Sequence, residues 1–376
     1  MSFTGRAIYD AGVFDATQDD VSPIIGRIAP FDTPLLDAMG DPPFPARNVL
    51  HEWIEDDLSP NTFISSATIP ASTTTTSIAV AGGLARYIQP GAIVWNEAAG
   101  EYLRVSARDL ANNALTLVRA IGGTSAASVG AGATFRVMDG AALEGESVST
   151  DISRARTRRG NLCQIIKKDI VISGTMQAVA QHGLESEYRY QLLARSREAL
   201  RDLEKFVVCG KGTTASTLGS AGVPRMMHGI VDLLATNVTT VSTFDETAMR
   251  EALASCFDAG GNVDLILCDR NFKEVVDQLN ASRVGVSNRD TRFSNLVTVY
   301  EGTYGVQRVI LSRWMPANSA LFLDTSRIKV LPLVGRSFFN RREESSVDAV
   351  KGAVIGEYTL ELKNESGMAR VYVPAE

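Results

Sequence analysis

The chain has 376 residues, of which 45% are hydrophobic and 21% are charged, and this composition is typical of a folded globular protein. Its net charge of −6 disfavours a dedicated nucleic-acid binder, because such proteins usually carry a basic excess. The sequence contains no apolar run long enough for a membrane span, and residues 1–10 lack the pattern of a signal peptide. The length fits two to three domains, or one large domain with an insertion.

The first part of the chain predicts a polar arm with little regular structure. Residues 1–20 are mixed and polar and are expected to form this arm. A short helix is predicted over 34–39 and should end at Gly40, because glycine commonly follows the last helical residue. The segment from His51 to Glu55 mixes polar and apolar residues, which predicts a strand.

Short strand candidates recur between about residues 77 and 138 and predict a small all-β module. Turn signals rich in glycine, proline and asparagine separate them at even spacing. A module of this size suffices for a barrel or a sandwich but not for an elaborate site. The predicted strands cover 77–80, 92–95, 101–106, 114–119 and 134–138.

A strand over 162–173 and a long helix over 184–208 are predicted next. One apolar stripe is predicted on this helix, because side chains recur at a spacing of three to four residues: Leu192, Leu193, Ser196, Leu200, Leu203, Phe206 and Val207. Gly210 should end the helix.

The remaining sequence mixes helices with many strands, which predicts the α+β class. Thr243 and Glu246 predict a capping box for a helix reaching about residue 258. The run 263–268, which is apolar except for Asp264, predicts a buried strand, and a helix follows over 271–279. Further strands are predicted at 297–300, 306–311, 320–323, 328–331, 354–362 and 369–373.

No constellation of residues predicts catalysis or metal binding. The segment 210–214 departs from a P-loop, because glycine follows Lys211 and a helix precedes it. None of the three histidines (His51, His182, His228) has a second ligand at metal spacing, so structural or surface roles are expected. The cysteines lack CxxC spacing and are expected to be reduced, buried thiols: Cys163, Cys209, Cys256 and Cys268. We therefore expect no enzyme, no cofactor and no metal.

Two charge clusters are the candidate interaction residues. The acidic cluster consists of Glu52, Glu55, Asp56 and Asp57. It matches no calcium loop, so a solvated face or salt bridges between subunits are favoured. The arginine run, which lies at 154–159, could contact phosphate, pair with acids of a neighbouring chain or remain solvated. Lysine is absent before Lys167, and arginine's planar group suits interface pairing better than lysine's point charge. The candidate inter-subunit contacts are Glu52, Glu55, Asp56, Arg154, Arg156, Arg158 and Arg159.

An ordered set of segments resembles the major capsid proteins of tailed bacteriophages. Residues 28–40 contain the Thr-Pro-Leu-Leu start, and residues 51–58 read His-Glu-Trp-Ile-Glu-Asp-Asp-Leu, as in that family. Segments 173–183, 224–230 and 356–365 agree with later family segments in the same order. The resemblance covers most of residues 21–373. It implies the Hong Kong ninety-seven capsid fold and a shell-forming role without catalysis.

Carried onto this chain, the resemblance implies five regions. They are an N-terminal arm at 1–50, an extended E-loop at 51–175 with the β module inserted at about 77–138, a peripheral domain at 176–222 with the spine helix 184–208, an axial domain at 223–330, and C-terminal strands at 331–376 that return to the peripheral domain.

The resemblance also implies partners and a location. These are copies of the chain in hexamers and pentamers, a portal protein, decoration proteins, and packaged double-stranded DNA bound without sequence specificity, in a virion whose subunits fold in the host cytoplasm. No membrane is expected. The family motif starts near residue 21, so we expect a separate scaffold protein or none. The absence of lysine before Lys167 predicts no lysine–asparagine crosslinks. The alternatives are an encapsulin-like nanocompartment shell and a phage decoration or tail protein.

Overall fold

The computed structural model describes residues 33–71, 75–140, 152–179, 186–212, 219–220, 222–281, 299–344 and 347–374. The predicted arm at 1–20, His182 and the start of the helix predicted at 184 lie outside these residues. The helices are α1 (Pro34–Met39), α2 (Gly174–Ala178), α3 (Glu187–Cys209), α4 (Ile230–Leu233), α5 (Glu246–Asp258) and α6 (Arg270–Ala281).

The strands follow one another in chain order. They are β1 (Leu50–Glu55), β2 (Thr62–Ile64), β3 (Thr75–Ala79), β4 (Ala92–Asn96), β5 (Glu101–Asp109), β6 (Ala114–Val118), β7 (Thr134–Gly140), β8 (Thr157–Leu162), β9 (Gln164–Ser173), β10 (Val238–Thr240), β11 (Leu265–Cys268), β12 (Val299–Gly302), β13 (Gly305–Leu311), β14 (Ser319–Leu323), β15 (Ile328–Pro332), β16 (Phe339–Glu343), β17 (Ala349–Leu362) and β18 (Ala369–Tyr372).

The chain divides into two compact units. The body comprises Met1–Trp53 and Arg159–Glu376, and the barrel unit comprises Ile54–Arg158. In sequence, the barrel unit is therefore an insertion into the body.

The barrel unit is a six-stranded antiparallel sheet in the order β2-β7-β4-β5-β6-β3. A bridge between Ser65 and Val80 joins its two outer strands, so the sheet closes on itself. Alternate residues point inward and form an apolar core in which the rings of Phe63 and Phe135 stack with centroids 5.2 Å apart. The predicted all-β module and its five predicted strands are confirmed.

An ion pair lies inside the barrel unit. Arg119 donates from Nε to Oε1 of Glu101 at 2.9 Å, and both side chains are fully buried. Arg119 also donates to the carbonyls of Pro70 and Ala127, while the carboxylate accepts from the backbone N–H of Ala120. These additional bonds satisfy the remaining polar atoms that burial would otherwise penalise.

One sheet of the body supports the long helix. Strand β17 pairs with β9, β15 and β16, all antiparallel. Helix α3 packs across β9 and β17, where Leu203 and Val207 meet Ile166 and Ile170 in the larger apolar core. Ser186 caps the start of α3, and the helix ends before Gly210 as predicted.

The apolar stripe predicted for the long helix is partly wrong. Leu203 is buried, but Leu193 is 56% exposed and Leu200 is 36% exposed. Val207 of the predicted stripe is also buried, and the other buried positions of α3 are Tyr188, Ala199, Glu204 and Val208. Leucine spacing alone does not reveal which face the sheet covers.

The second sheet of the body has the order β10-β18-β14-β11-β13-β12. Helices α5 and α6 contribute to an apolar core with one face of this sheet, while alternate residues of β11 and β14 join the larger core on the other. Strand β11 is consequently buried along its whole length, as its continuous apolar sequence predicts. The predicted capping box of α5 is wrong: Asp245, not Thr243, accepts the N–H of Ala248 at 2.7 Å.

Candidate assembly interface

The predicted interaction residues lie on and beside a two-stranded ribbon formed by β1 and β8. Glu52 and Glu55 belong to β1, and Arg158 and Arg159 belong to β8. The ribbon is where the chain passes from the body to the barrel unit and back. A two-stranded ribbon has little stability of its own, so neighbouring structure must support it.

The acidic cluster and the arginine run pair partly with each other. Arg154 forms an ion pair with Asp57, and Arg156 donates from Nε to Asp56 at 3.2 Å. The guanidinium of Arg154 also lies 5.1 Å from the centroid of the Tyr87 ring. This pairing within one chain differs from the three expected roles of the arginine run. Contacts of the seven predicted residues with other subunits stay a prediction.

Two large apolar side chains are exposed in the same stretch of chain. Ile54 is 65% exposed and Leu58 is 87% exposed. Exposed apolar side chains of this kind offer area that a neighbouring subunit can cover. The stretch therefore combines exposed apolar area with charges that can fix an orientation.

The root of the ribbon is bonded to β17 through both of its strands. His51 of β1 lies 2.6 Å from Glu361 through Nε2 and Oε2, and the bond from His51 holds the pKa of Glu361 below its ordinary value. Asn161 of β8 donates from Nδ2 to the carbonyl of Leu360 at 2.9 Å. The same amide also donates to the carbonyl of His228 and accepts its N–H, both at 2.9 Å.

A buried glutamate of α3 holds the segment that precedes the ribbon. Thr33 provides no side-chain cap for α1, but the carboxylate of Glu204 accepts the N–H groups of Leu35 and Leu36 at 2.9 and 3.0 Å. A negative charge at a helix start is favourable because the unpaired N–H groups there are electropositive. Glu204 was not identified from the sequence, where it reads as one more surface glutamate of a helix.

Glu357 is a second buried carboxylate that links separate segments. It pairs with Arg225 at 3.0 Å and with Arg336. Arg225 also donates from Nε to the carbonyl of Cys163 at 2.7 Å. The loop that carries Arg225 is thereby fixed to β17 and to the junction between β8 and β9.

The positions of the cysteines agree in part with the expectation of four buried thiols. Cys163, Cys256 and Cys268 are buried, and burial raises the pKa of their thiols to about 11, about 12 and about 12. The prediction that Cys209 is buried is wrong, since its position at the end of α3 exposes it. Among the described residues, no group of three or more His, Cys, Asp or Glu side chains could hold a metal.

In the described parts of the chain, no helix is long and apolar enough to cross a membrane.

Comparison with known proteins identifies the family. The family model of the SU10 major capsid protein matches residues 8–373. The chain belongs to this family. It is a tailed-phage major capsid protein and thus a structural component of the virion that forms the icosahedral capsid. The major capsid protein of Escherichia phage Phieco32 is 22% identical over 246 residues, which span 50% of this chain and 70% of that protein.

Solved capsid structures share the fold at low sequence identity. The capsid asymmetric unit of cyanophage A-1(L) has a TM-score of 0.53 and 11% identity, over 96% of this chain and 98% of that chain. A structure of Gordonia phage Cozz has a TM-score of 0.52 and 11% identity, over 100% and 99% of the two chains. These likenesses show an α+β capsid fold.

Proposed function

We propose that this capsid protein has the Hong Kong ninety-seven fold and assembles with its own copies into hexamers and pentamers that enclose packaged double-stranded DNA. The observation that carries the proposal is the long helix α3 packed across an antiparallel sheet, in a body whose sequence is interrupted by one inserted compact unit. A shell subunit of this kind needs a stiff body and an arm that reaches a neighbour.

The five regions expected from the sequence are part of the proposal. They are the N-terminal arm at 1–50, the E-loop at 51–175, the peripheral domain at 176–222, the axial domain at 223–330, and the C-terminal strands at 331–376. The compact barrel unit, Ile54–Arg158, lies within the proposed E-loop. Strand β9 also falls inside that range, although it pairs with β17 of the body over ten residues.

The seven charged residues are proposed to contact neighbouring subunits at the ribbon. Exposed Ile54 and Leu58 supply apolar area, and a stable interface buries about 1,600 Å² in total. The charges of Glu52, Glu55 and Asp56, with those of Arg154, Arg156, Arg158 and Arg159, then set register and partner choice more than affinity.

Other partners follow from the same role. We propose a portal protein, decoration proteins and either a separate scaffold protein or none, with folding in the host cytoplasm before assembly. The net charge of −6 is compatible with DNA that is enclosed without sequence-specific binding.

The absence of lysine from the barrel unit predicts shells without lysine-based covalent crosslinks. Boiling purified shells in SDS should release monomers of 40.4 kDa, measured by gel electrophoresis. A ladder of covalent oligomers would contradict this prediction.

The proposed function is tested on particles purified from cells that produce the chain during infection. We expect it to be the most abundant protein of tailed particles that contain double-stranded DNA, measured by quantitative mass spectrometry and nuclease protection. Tailless shells filled with an enzyme would instead support the nanocompartment alternative. Its presence only in tails would contradict both.

A further inference from the structure

A surface groove of about 380 Å³ lies at one end of the barrel unit. It is formed by side chains of β2, β4 and β7 together with the turn after β4. Its volume falls within the range of small-ligand sites, which is about 300–1,000 Å³. The residues that line it are Thr62, Trp95, Glu97, Ala98, Ala133, Thr134 and Arg136.

The indole of Trp95 is held in place by its cross-strand neighbours. Trp95 of β4 is paired in register with Tyr102 of β5 and with Arg136 of β7. The rings of Trp95 and Tyr102 are nearly parallel, at 13°, with centroids 5.9 Å apart. Tyr102 does not line the groove, so its ring packs on the side of the indole that faces away from the groove. A half-buried indole fixed in this way is a preformed stacking surface.

Charged and hydroxyl groups lie around this indole, and the two formal charges cancel. Arg136 and Glu97 lie 3.4 Å apart, and both are more than half exposed, so the pair is available to a ligand. The guanidinium of Arg136 lies 5.7 Å from the centroid of the Trp95 ring. The hydroxyls of Thr62 and Thr134 complete a mixed set of donors and acceptors with no net charge.

We propose that this groove binds a neutral saccharide. A sugar ring has one apolar face, which can stack on the indole, and adjacent hydroxyls, which can bond to the Arg136–Glu97 pair in place of their mutual contact. The carboxylate of Glu97 disfavours an anionic ligand, and Arg136 disfavours a cationic one. Because Ser65 and Val80 close the barrel, its faces rather than a sheet edge are the surfaces available for binding.

The test uses shells of the full-length chain and four probes: the methyl glycosides of glucose, galactose, mannose and N-acetylglucosamine. We expect saturation transfer by NMR from the shell to at least one probe, and a weak affinity by calorimetry. Trp95→Ala should weaken this binding by about tenfold, because it removes the stacking surface. Arg104→Ala is the matched control, since Arg104 is exposed on β5 outside the groove.

Arg136→Ala is a second variant, whose exposed side chain can be removed without disturbing the barrel core, and it should also weaken binding. The inference is overturned if no probe binds at about 50 mM, a concentration that fills even a millimolar site. It is equally overturned if binding survives both variants. The same conclusion holds if another phage protein binds the groove and no sugar does. Shell formation is monitored on the same samples, so failure of the assembly proposal is seen separately.

Discussion

The barrel unit and the body bury carboxylates in different ways. In the barrel unit, Glu101 pairs with Arg119, only 18 residues away, and the sheet closes on itself. In the body, Glu204 bonds to Leu35 across 169 residues, and Glu361 bonds to His51 across 310. The barrel unit is therefore stabilised by contacts within a short sequence, whereas the body depends on bonds between distant segments.

This difference separates two tasks. A unit whose polar and apolar interior is complete within one inserted segment can change its surface without altering the body. The body, in contrast, ties the N-terminal helix, the ribbon and the long strand β17 into one network, so local changes there should spread. Four variants test this difference between the barrel unit and the body.

The largest effect is expected from Arg119→Ala. It leaves the carboxylate of Glu101 buried without its cation, which should lower the free energy of unfolding of the barrel unit by about 3–5 kcal/mol. Urea unfolding followed by tryptophan fluorescence measures this, since Trp95 reports on the barrel.

The exposed pair Arg136–Glu97 supplies the control for this variant. Arg136→Ala should cost about 1 kcal/mol or less, because water already solvates both groups. The double variant Glu101→Leu with Arg119→Met should recover much of the lost stability. A cost for Arg119→Ala as small as that of Arg136→Ala would contradict a self-contained buried pair.

Glu204→Gln should give the next largest effect, and in the body alone. The amide places a donor against a backbone N–H of α1, so we expect a loss of about 2 kcal/mol and faster hydrogen exchange at Leu35 and Leu36. Glu198→Gln on the same helix is the control, because its contact with Arg195 is on the surface. Unchanged exchange at the two leucines would contradict the anchoring role.

The pH dependence of the body should report on Glu361. Its pKa in the folded protein lies below the ordinary value of 4.5, so its contribution is complete above pH 4.5 and declines as the pH falls below that value. His51→Ala should reduce this acid-dependent loss, measured as unfolding free energy between about pH 7 and about pH 3. His228→Ala, which removes a contact with Asp232, should leave it in place. An identical acid slope in the two variants would contradict the role of His51.

The smallest effect concerns thiol reactivity. All four cysteines lie in the body, and Cys209 is the exposed one. At about pH 8 a thiol reagent should label Cys209 in the native protein and the other three only after unfolding, measured by mass spectrometry. Cys209→Ser should abolish native labelling without changing stability, and rapid labelling of Cys256 would contradict the packing of α5.

The sequence predicts elements better than it predicts their partners. Short strand candidates separated by turn signals located β3 to β7, and the apolar run located β11. Strands β2, β8, β10 and β16 were not predicted, because they are short or rich in charged residues. Three of them (β2, β8 and β10) are fixed by pairing with strands far away in sequence.

The same limit applies to the candidate interface. The arginine run and the acidic cluster are visible as charge patterns, but the pairing of Arg156 with Asp56 depends on the ribbon that brings them together. The anchors Glu204, Glu357 and Asn161 have no local signal, since each acts on a segment far away in sequence. The family resemblance, carried by an ordered set of segments, is confirmed by the match over residues 8–373.

The most direct test of the assembly role is negative-stain electron microscopy of the purified full-length chain, together with its sedimentation. We expect closed shells, or free hexamers and pentamers, with few monomers at assembly concentrations. Particles that stay at the 40.4 kDa of one chain, with or without the phage's other head proteins, would contradict it.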